Sequence, residues 1–145
     1  MRLTVLGRDG GFPQPSGACS GYLVECGGTR ILCDLGAGAL SNLLTECSLS
    51  ELDALILTHL HFDHCSDALV LQYALEKAAA AGKRARPLPV YLPDTPAAQR
   101  ALFENAKAFA LHFLQDGLHV QIGACDVRFL AVRHPVETYA ARLTA

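Results

Sequence analysis

Residues 58–64 read Thr58-His59-Leu60-His61-Phe62-Asp63-His64. Three of the six histidines in the chain and one aspartate therefore fall within six residues. The apolar run Ala54-Leu55-Ile56-Leu57 comes directly before this segment. A short apolar run bounded by polar residues is typical of a buried strand. The histidines are therefore predicted to lie where a buried strand ends.

The spacing of these side chains predicts a metal site. In an extended chain alternate residues share a face, so His59, His61 and Asp63 point to one side and His64 to the other. If the backbone turns into a helix here, His64 swings back beside Asp63. Two neighbouring ligand sets result, and imidazole and carboxylate are ligands that Zn²⁺ accepts. The alternative is a polar loop that is rich in histidine by chance, which the cost of unpaired buried polar groups disfavours.

Length and composition indicate one globular domain spanning residues 1–145. The chain is 51% hydrophobic and 18% charged, with a net charge of −2, which is typical of a folded domain and not of a disordered chain. No apolar run approaches the roughly 20 residues that cross a bilayer. The N-terminal apolar segment is too short for a signal peptide, so we expect a cytoplasmic protein without a membrane partner.

The six cysteines are expected to be free. Their spacing contains no C-x-x-C pair, and an even number of cysteines carries little weight without a secretory segment. Free cysteine is commonly a small buried hydrophobic residue. Cys65 is the exception to watch, because it follows His64 and a thiolate there would be able to reach a metal.

The remaining pattern alternates strands and helices, which favours an α/β layered domain. Gly27-Gly28 suits the tight turn of a hairpin. Asp67 or Ser66 is a plausible N-cap for a helix that runs to about residue 81. A further helix is predicted to begin at Thr95-Pro96 and to carry an apolar stripe as far as Phe113. The other predicted elements are strands at residues 2–6, 21–26, 29–34, 54–57, 90–92, 118–122 and 126–132 and a helix at 39–47.

Two more strand ends carry groups suited to the metal site. Asp34 ends a predicted strand, and its carboxylate is well placed to accept a hydrogen bond from behind a ligating histidine. His134 follows the predicted strand 126–132, and Pro135 favours an extended backbone at His134, which restricts where its ring points. His112 and His119 have no polar company in the sequence and are interpreted as ordinary histidines.

With His134 included, the chain resembles the metallo-β-lactamase superfamily, whose mark is H-x-H-x-D-H after a buried strand. Within that superfamily it is most similar to the ribonuclease Z-like phosphodiesterases. The segments that carry this second resemblance are Gly10-Gly11-Phe12-Pro13, Ser20-Gly21-Tyr22-Leu23-Val24, Asp34-x-Gly36 and His134-Pro135-Val136-Glu137-Thr138-Tyr139.

The resemblance implies an αββα sandwich, of which this sequence carries the first part and lacks the C-terminal portion. It implies that His59, His61 and His134 hold one zinc ion, and that Asp63 and His64 hold part of a second. Mn²⁺ or iron are the alternative ions. Asp63 would also orient a zinc-activated water, and Asp34 or Glu137 would fix the orientation of the ligating rings.

The resemblance further implies hydrolysis of a phosphodiester, with a small phosphodiester or nucleotide as the substrate. Nucleic acid is disfavoured because the only basic cluster is Lys83, Arg84 and Arg86, which is also typical of a solvated loop. Thioester or lactam hydrolysis, and an inactive metal-binding or accessory domain, are the alternatives. Because uncovered sheet edges pair readily, we expect a homo-oligomer or association with the missing C-terminal fragment.

Overall fold

The computed structural model describes residues 1–104 and 107–145. These residues form two β-sheets with helices on the outside of the larger sheet. The larger sheet has six strands in the order in which they occur in the chain. Its strands are β1 (Arg2–Gly7), β2 (Gly21–Cys26), β3 (Thr29–Leu35), β4 (Ala54–Ile56), β5 (Leu88–Leu92) and β6 (Phe109–Phe113).

The larger sheet is antiparallel at one side and parallel at the other. Strands β1, β2 and β3 pair antiparallel, and Gly27 and Gly28 both have positive φ in the turn between β2 and β3, as a tight hairpin requires. Strands β3 to β6 pair parallel. The carboxyl ends of β3 and β4 therefore lie at the same edge, and residues that follow these strands are brought together there.

Two helices cover one face of this sheet: α1 (Ala39–Glu46) and α2 (Phe62–Ala80). Their buried residues join the larger hydrophobic core, which includes Leu43 and Leu71 from the helices and Leu32 and Leu55 from the strands. Helix α2 begins at Phe62, with His61 as its N-cap. The predicted start at Ser66 or Asp67 is therefore wrong. The Asp67 carboxylate instead accepts a hydrogen bond from the Leu40 amide in the first turn of α1, at 3.0 Å.

The smaller sheet packs on the other face of the larger one. Its strands are antiparallel in the order β7 (His119–Ile122), β8 (Cys125–Ala131) and β9 (Tyr139–Thr144). The core between the sheets includes Ile31 and Ile56 from one side and Val127 and Phe129 from the other. The predicted hairpin around Gly123 is confirmed to within a few residues, whereas β9 was not predicted.

The predicted helix from Thr95 to Phe113 is wrong. Among the described residues of this segment, the helix is limited to the four residues of α3 (Ala97–Arg100), and turns follow at 101–104. Phe109–Phe113 forms strand β6, because pairing alongside β5 satisfies its backbone groups. Phe103 and Phe109 are buried, as expected for the stripe, but Leu102 and Phe113 are largely exposed. Ala106, which also belonged to that stripe, lies outside the described residues.

The αββα expectation therefore holds for the part of the fold that this chain forms: one helical layer and two facing sheets. All six cysteines are free thiols. None of the described helices has the length and apolar composition that a membrane-spanning helix needs.

Candidate metal centre

Three imidazoles converge from two separate loops. His59 and His61 lie in the loop between β4 and α2, and His134 lies in the loop between β8 and β9. One ring nitrogen from each of the three lies within 4.8 Å of the others. Nε2 of His134 is 3.3 Å from Nδ1 of His61, and the ring centroids of His59 and His134 are 4.7 Å apart. Residues that are 75 positions apart in the sequence, 59 and 134, thus share one site.

His59 lies at the bottom of the site and is held by its neighbour. Its side chain is buried, and its Nδ1 lies 3.1 Å from Oγ1 of Thr58. Burial, followed by the nearby His64 and the other two imidazoles, lowers the pKa of His59 to about 4. The ring is therefore neutral at neutral pH, so one of its two nitrogens has a lone pair available for coordination instead of carrying a second proton.

Asp63 and His64 occupy the first turn of α2. The Asp63 carboxylate accepts a hydrogen bond from the Gly11 amide at 2.8 Å and lies 3.6 Å from Nε2 of His64. Burial raises the pKa of Asp63, but the Gly11 amide and His64 outweigh burial, so the net shift is downward. Because α2 begins before His64, the helical turn brings His64 beside Asp63, the arrangement expected only if the backbone became helical at this point.

Asp34 hydrogen-bonds both His64 and Thr58, the residue that precedes His59. Its carboxylate accepts hydrogen bonds from the Thr58 amide at 2.8 Å and the Thr58 hydroxyl at 2.9 Å. Its Oδ2 also lies 2.7 Å from Nδ1 of His64. Burial lowers the pKa of His64, but the hydrogen bond and charge of Asp34 outweigh burial, so that pKa is raised. Asp34 thus orients a histidine, as the sequence suggested.

Glu137 contacts other groups than the sequence suggested. Its carboxylate accepts hydrogen bonds from the Thr95 amide and hydroxyl, at 2.9 and 2.6 Å, and from the Tyr139 hydroxyl at 2.7 Å. None of the hydrogen bonds found among the described residues joins Glu137 to an imidazole. The expectation that Glu137 directly orients a ligating ring is therefore corrected: Glu137 lies in the same loop as His134, and its side chain joins that loop to Thr95 and Tyr139.

Several residues that support the site were not singled out from the sequence. Thr58 binds Asp34 and His59, and the Gly11 amide binds Asp63. Gly36 packs so closely on the site that a Cβ atom there would overlap the carbonyl of Asp63. The sequence signal for Gly36 was the Asp34-x-Gly36 spacing. A sequence does not show, however, that the backbone at Gly36 approaches the backbone at Asp63 closely.

Cys65, His112 and His119 are not part of the group of ligand atoms that converge in the described part of the chain. Cys65 is buried, and burial followed by Asp34 and Asp63 raises the pKa of its thiol to about 12. His112 stacks on Tyr91 with ring centroids 4.9 Å apart. His119 contacts Asp126 on the neighbouring strand, so it does have the polar partner that the sequence did not reveal.

The three imidazoles suit a divalent metal ion. Ligand nitrogens about 2.0–2.1 Å from a tetrahedral zinc ion lie roughly 3.3 Å from one another, and the His61–His134 nitrogen separation matches that value. Three histidines with an open fourth position are a known catalytic arrangement. The low pKa of His59 further favours coordination, because no proton must be displaced from it at neutral pH.

Comparison with known proteins agrees with this geometry. A family model described as the metallo-beta-lactamase superfamily matches residues 15–136. The chain is 35% identical over 145 residues to a probable metallo-hydrolase, YhfI, from Bacillus subtilis. It is 27% identical over 142 residues to a ribonuclease Z from Methanopyrus kandleri. The crystal structure of the Bacillus metallo-beta-lactamase fold protein YhfI superimposes with a TM-score of 0.91 over 98% of this chain.

The matches involve nearly all of this chain but only part of each relative. The alignments cover 99% and 97% of this chain, against 59% of the Bacillus protein and 49% of the Methanopyrus protein. The superimposed part of the YhfI crystal structure is 58% of that chain. The chain therefore spans about half to three fifths of the length of these relatives.

Proposed function

Because this chain belongs to the metallo-β-lactamase superfamily, we propose that it forms the metal-binding part of a metal-dependent hydrolase. The observation that carries this proposal is the convergence of His59, His61 and His134 from two separate loops. Without a bound ion, three neighbouring imidazoles gain no stabilisation from lying together, whereas a shared cation stabilises all three.

We propose zinc as the ion, with Mn²⁺ or iron as alternatives. His59, His61 and His134 would hold it, and Asp63 with His64 would contribute to a second site. A bound ion of this kind supplies a Lewis acid and lowers the pKa of a bound water toward neutrality. Because the proton on Nδ1 of His64 faces Asp34, Nε2 is left as the nitrogen with a free lone pair, on the side of Asp63.

Asp63 is the proposed catalytic residue. Its lowered pKa keeps the carboxylate ionised at neutral pH. Oδ2 accepts the hydrogen bond from Gly11. The other carboxylate oxygen, Oδ1, would accept a hydrogen bond from the attacking water and orient it. The Gly11 contact also fixes the rotamer of Asp63, so that this orientation is established before substrate binds.

A phosphodiester is the proposed substrate class, and its support is the similarity to ribonuclease Z sequences. A thioester or a lactam remains the alternative within the superfamily. A small phosphodiester or nucleotide is favoured over long nucleic acid because the one basic cluster predicted from the sequence lies away from the imidazoles. Lys83, Arg84 and Arg86 precede the start of β5, whereas the histidine loop follows the end of the parallel strand β4. The Arg84 guanidinium also donates to the backbone carbonyls of Leu49 and Leu52, at 2.9 and 3.1 Å.

The alternative function is an inactive metal-binding or accessory domain that self-associates. The observation that favours it is the incomplete second ligand set, since Asp63 and His64 are the two protein ligands assigned to a second ion. The two functions differ in metal content and turnover. A hydrolase should bind metal and turn over, whereas an accessory domain should stay folded without turnover.

The experiment measures metal per chain by mass spectrometry and hydrolysis of bis(p-nitrophenyl) phosphate with added Zn²⁺ or Mn²⁺. We expect bound metal, turnover and loss of both in His61→Ala. His119→Ala is the matched control, because His119 contacts Asp126 on the second sheet and lies outside the imidazole cluster. A folded chain that binds metal without turnover would favour the accessory domain. Unchanged rates in His61→Ala would remove this loop from the reaction.

A further inference from the structure

His134 must be held in place by contacts outside its own loop. Residues 132–138 form no helix or strand, and the His134 side chain is exposed. Within the loop, the Thr138 hydroxyl donates to the Val136 carbonyl at 2.9 Å, and the Val132 amide donates to the Thr138 carbonyl at 3.0 Å. These bonds close the loop on itself, but they do not fix it against the loop that carries His59 and His61.

Glu137 connects the His134 loop to a third segment. Its two carboxylate oxygens bind different residues. Oε2 accepts hydrogen bonds from the amide and hydroxyl of Thr95, and Oε1 accepts one from the hydroxyl of Tyr139. Thr95 lies between β5 and α3. Hydrogen bonds to an ionised carboxylate are roughly twice as strong as those between neutral groups. Burial raises the pKa of Glu137, but these hydrogen bonds outweigh it and keep the group ionised.

Tyr139 connects the same loop to the histidine segment after β4. Its backbone amide donates to the carbonyl of Thr58 at 2.9 Å, one residue before His59. Its ring is buried in the core between the two sheets, and its hydroxyl reaches Glu137. Burial, followed by the neighbouring Glu137, raises the pKa of Tyr139 to about 12, so its hydroxyl remains a proton donor at all ordinary pH values.

We propose that Thr95, Glu137 and Tyr139 form a clamp that sets the position of His134 relative to His59 and His61. These three are positioning residues, since no hydrogen bond in the described part of the chain joins them to an imidazole. The role of the clamp rests on the proposed metal site, but the contacts that form the clamp lie within this chain and involve no metal. Without the Glu137 carboxylate, the His134 loop loses its bonds to Thr95 and Tyr139. Apart from the bonds within the loop, the hydrogen bond from the Tyr139 amide to Thr58 remains.

The test compares Glu137→Ala with Glu137→Gln. Alanine removes the three hydrogen bonds that the Glu137 carboxylate accepts. Glutamine keeps the shape and one carbonyl oxygen for Thr95, and its amide can donate to the Tyr139 oxygen, so it should restore most of the function. Thr29→Ala is the matched stability control: it removes a hydrogen bond of 2.8 Å to the Ala124 amide, far from the metal loops in the β2–β3 turn region.

The first measurement is Zn²⁺ affinity by competition with a chromophoric chelator, together with the visible spectrum of the Co²⁺-loaded protein. Glu137→Ala should bind Zn²⁺ about 10-fold or more weakly and change the Co²⁺ spectrum. Glu137→Gln and Thr29→Ala should retain the wild-type spectrum and affinity within about a factor of three. Wild-type affinity and spectrum in a folded Glu137→Ala would overturn the clamp.

The second measurement needs no metal. In the metal-free protein, nuclear Overhauser effects between the imidazole protons of His61 and His134 should be present in wild type and Thr29→Ala. They should be lost in Glu137→Ala. Their persistence in Glu137→Ala would also overturn the clamp. A wild-type protein that shows these contacts but binds no Zn²⁺ would contradict the proposed function and leave the clamp supported, so the two failures are distinguishable.

Discussion

The Nδ1 atom of His64 lies 2.7 Å from Oδ2 of Asp34, a residue 30 positions earlier in the chain. The same carboxylate binds the amide and hydroxyl of Thr58. Asp34 itself has a φ of +56°, a conformation that aspartate and asparagine adopt more readily than most residues. One side chain at the end of β3 therefore sets both the backbone before His59 and the ring of His64.

Asp34→Asn should change which nitrogen of His64 carries the proton. Asparagine keeps the backbone conformation and one carbonyl oxygen for the Thr58 amide, but it presents an NH₂ group to Nδ1 of His64. The neutral ring must then accept at Nδ1 and carry its proton on Nε2. Nitrogen chemical shifts of His64 in the metal-free protein at alkaline pH should report this exchange, and metal binding that uses Nε2 should weaken by about 10- to 100-fold.

The matched control is Asp53→Asn. The Asp53 carboxylate accepts a hydrogen bond of 2.7 Å from the Arg30 amide, before strand β4, so this substitution also replaces a carboxylate that binds backbone. We expect it to leave the tautomer of His64 unchanged. A His64 ring that keeps its proton on Nδ1 in Asp34→Asn would contradict the assigned role of Asp34.

The sequence predicted those parts of the site that depend on residues close to one another in the chain. The apolar run before the H-x-H-x-D-H segment predicted the strand end, and the alternation within that segment predicted that His59 and His61 lie on one side. The helical turn at His64 was considered only as a condition, since the helix was predicted to start at Ser66 or Asp67. The polar residues at the ends of two other predicted strands, Asp34 and His134, were also recognised. Strands β3 and β4 are parallel, so their carboxyl ends meet at one edge, and Asp34 and the histidine loop have a physical reason to be near each other. His134 follows β8, an antiparallel strand of the smaller sheet, and its place beside His59 and His61 was implied only by the family resemblance.

The sequence did not predict features that depend on contacts between distant segments. Glu137 was expected behind a ring, but its partners Thr95 and Tyr139 are known only once β9 and the segment before α3 are placed. Phe109 and Phe113 fit a helical period, yet pairing alongside β5 makes the segment a strand. Here tertiary pairing overrides the local pattern, as it commonly does for short apolar runs.

Gly36→Ala should destabilise the site by steric overlap. A Cβ atom at residue 36 would overlap the carbonyl of Asp63 and lie 2.6 Å from the Cβ of Cys19. The backbone at Asp63 would have to move, which we expect to cost about 1–3 kcal/mol and to weaken metal binding. Chemical denaturation of the metal-free protein measures the loss. Gly10→Ala is the control, because a Cβ there meets nothing within 4 Å; equal effects of the two substitutions would contradict the packing argument.

The titration of His59 in the metal-free protein should have a midpoint near pH 4. Burial, then the neighbouring imidazoles and chiefly His64 among them, disfavours its charged form. In the unfolded chain the ring takes up a proton near its ordinary pKa of about 6.5. The unfolded state therefore binds the proton first, and the free energy of unfolding should fall as the pH is lowered from about 6.5 toward 4.

Proton NMR of the His59 ring checks the midpoint, and denaturation at a series of pH values checks the stability. His59→Gln should reduce the pH dependence in this interval, because it removes the titrating group. A midpoint near 6.5 would show that the ring is not desolvated as the structure has it.

An exposed apolar face on β1 leads us to propose that the purified chain self-associates. Leu3 pairs with Val24, which in turn pairs with Ile31. Val5 pairs with Tyr22, which in turn pairs with Cys33. Ile31 and Cys33 face the core between the sheets. Leu3 and Val5 therefore belong to the same face, yet they are 61% and 56% exposed. Strand β9 is also an edge strand, since among the described strands it pairs only with β8. Exposed apolar surface beside an open edge favours association.

Sedimentation velocity at about micromolar concentration should show a dimer or larger species, and Val5→Lys should shift the distribution toward monomer by adding a charge to the apolar face. Val70→Lys is the matched control, because Val70 is 54% exposed but lies on helix α2, away from the sheets. If a polypeptide corresponding to the remainder of the longer relatives covers this face instead, adding that polypeptide should dissociate the self-associated form. A well-folded monomer under these conditions would contradict self-association, because Leu3 and Val5 would then remain exposed to water without a partner.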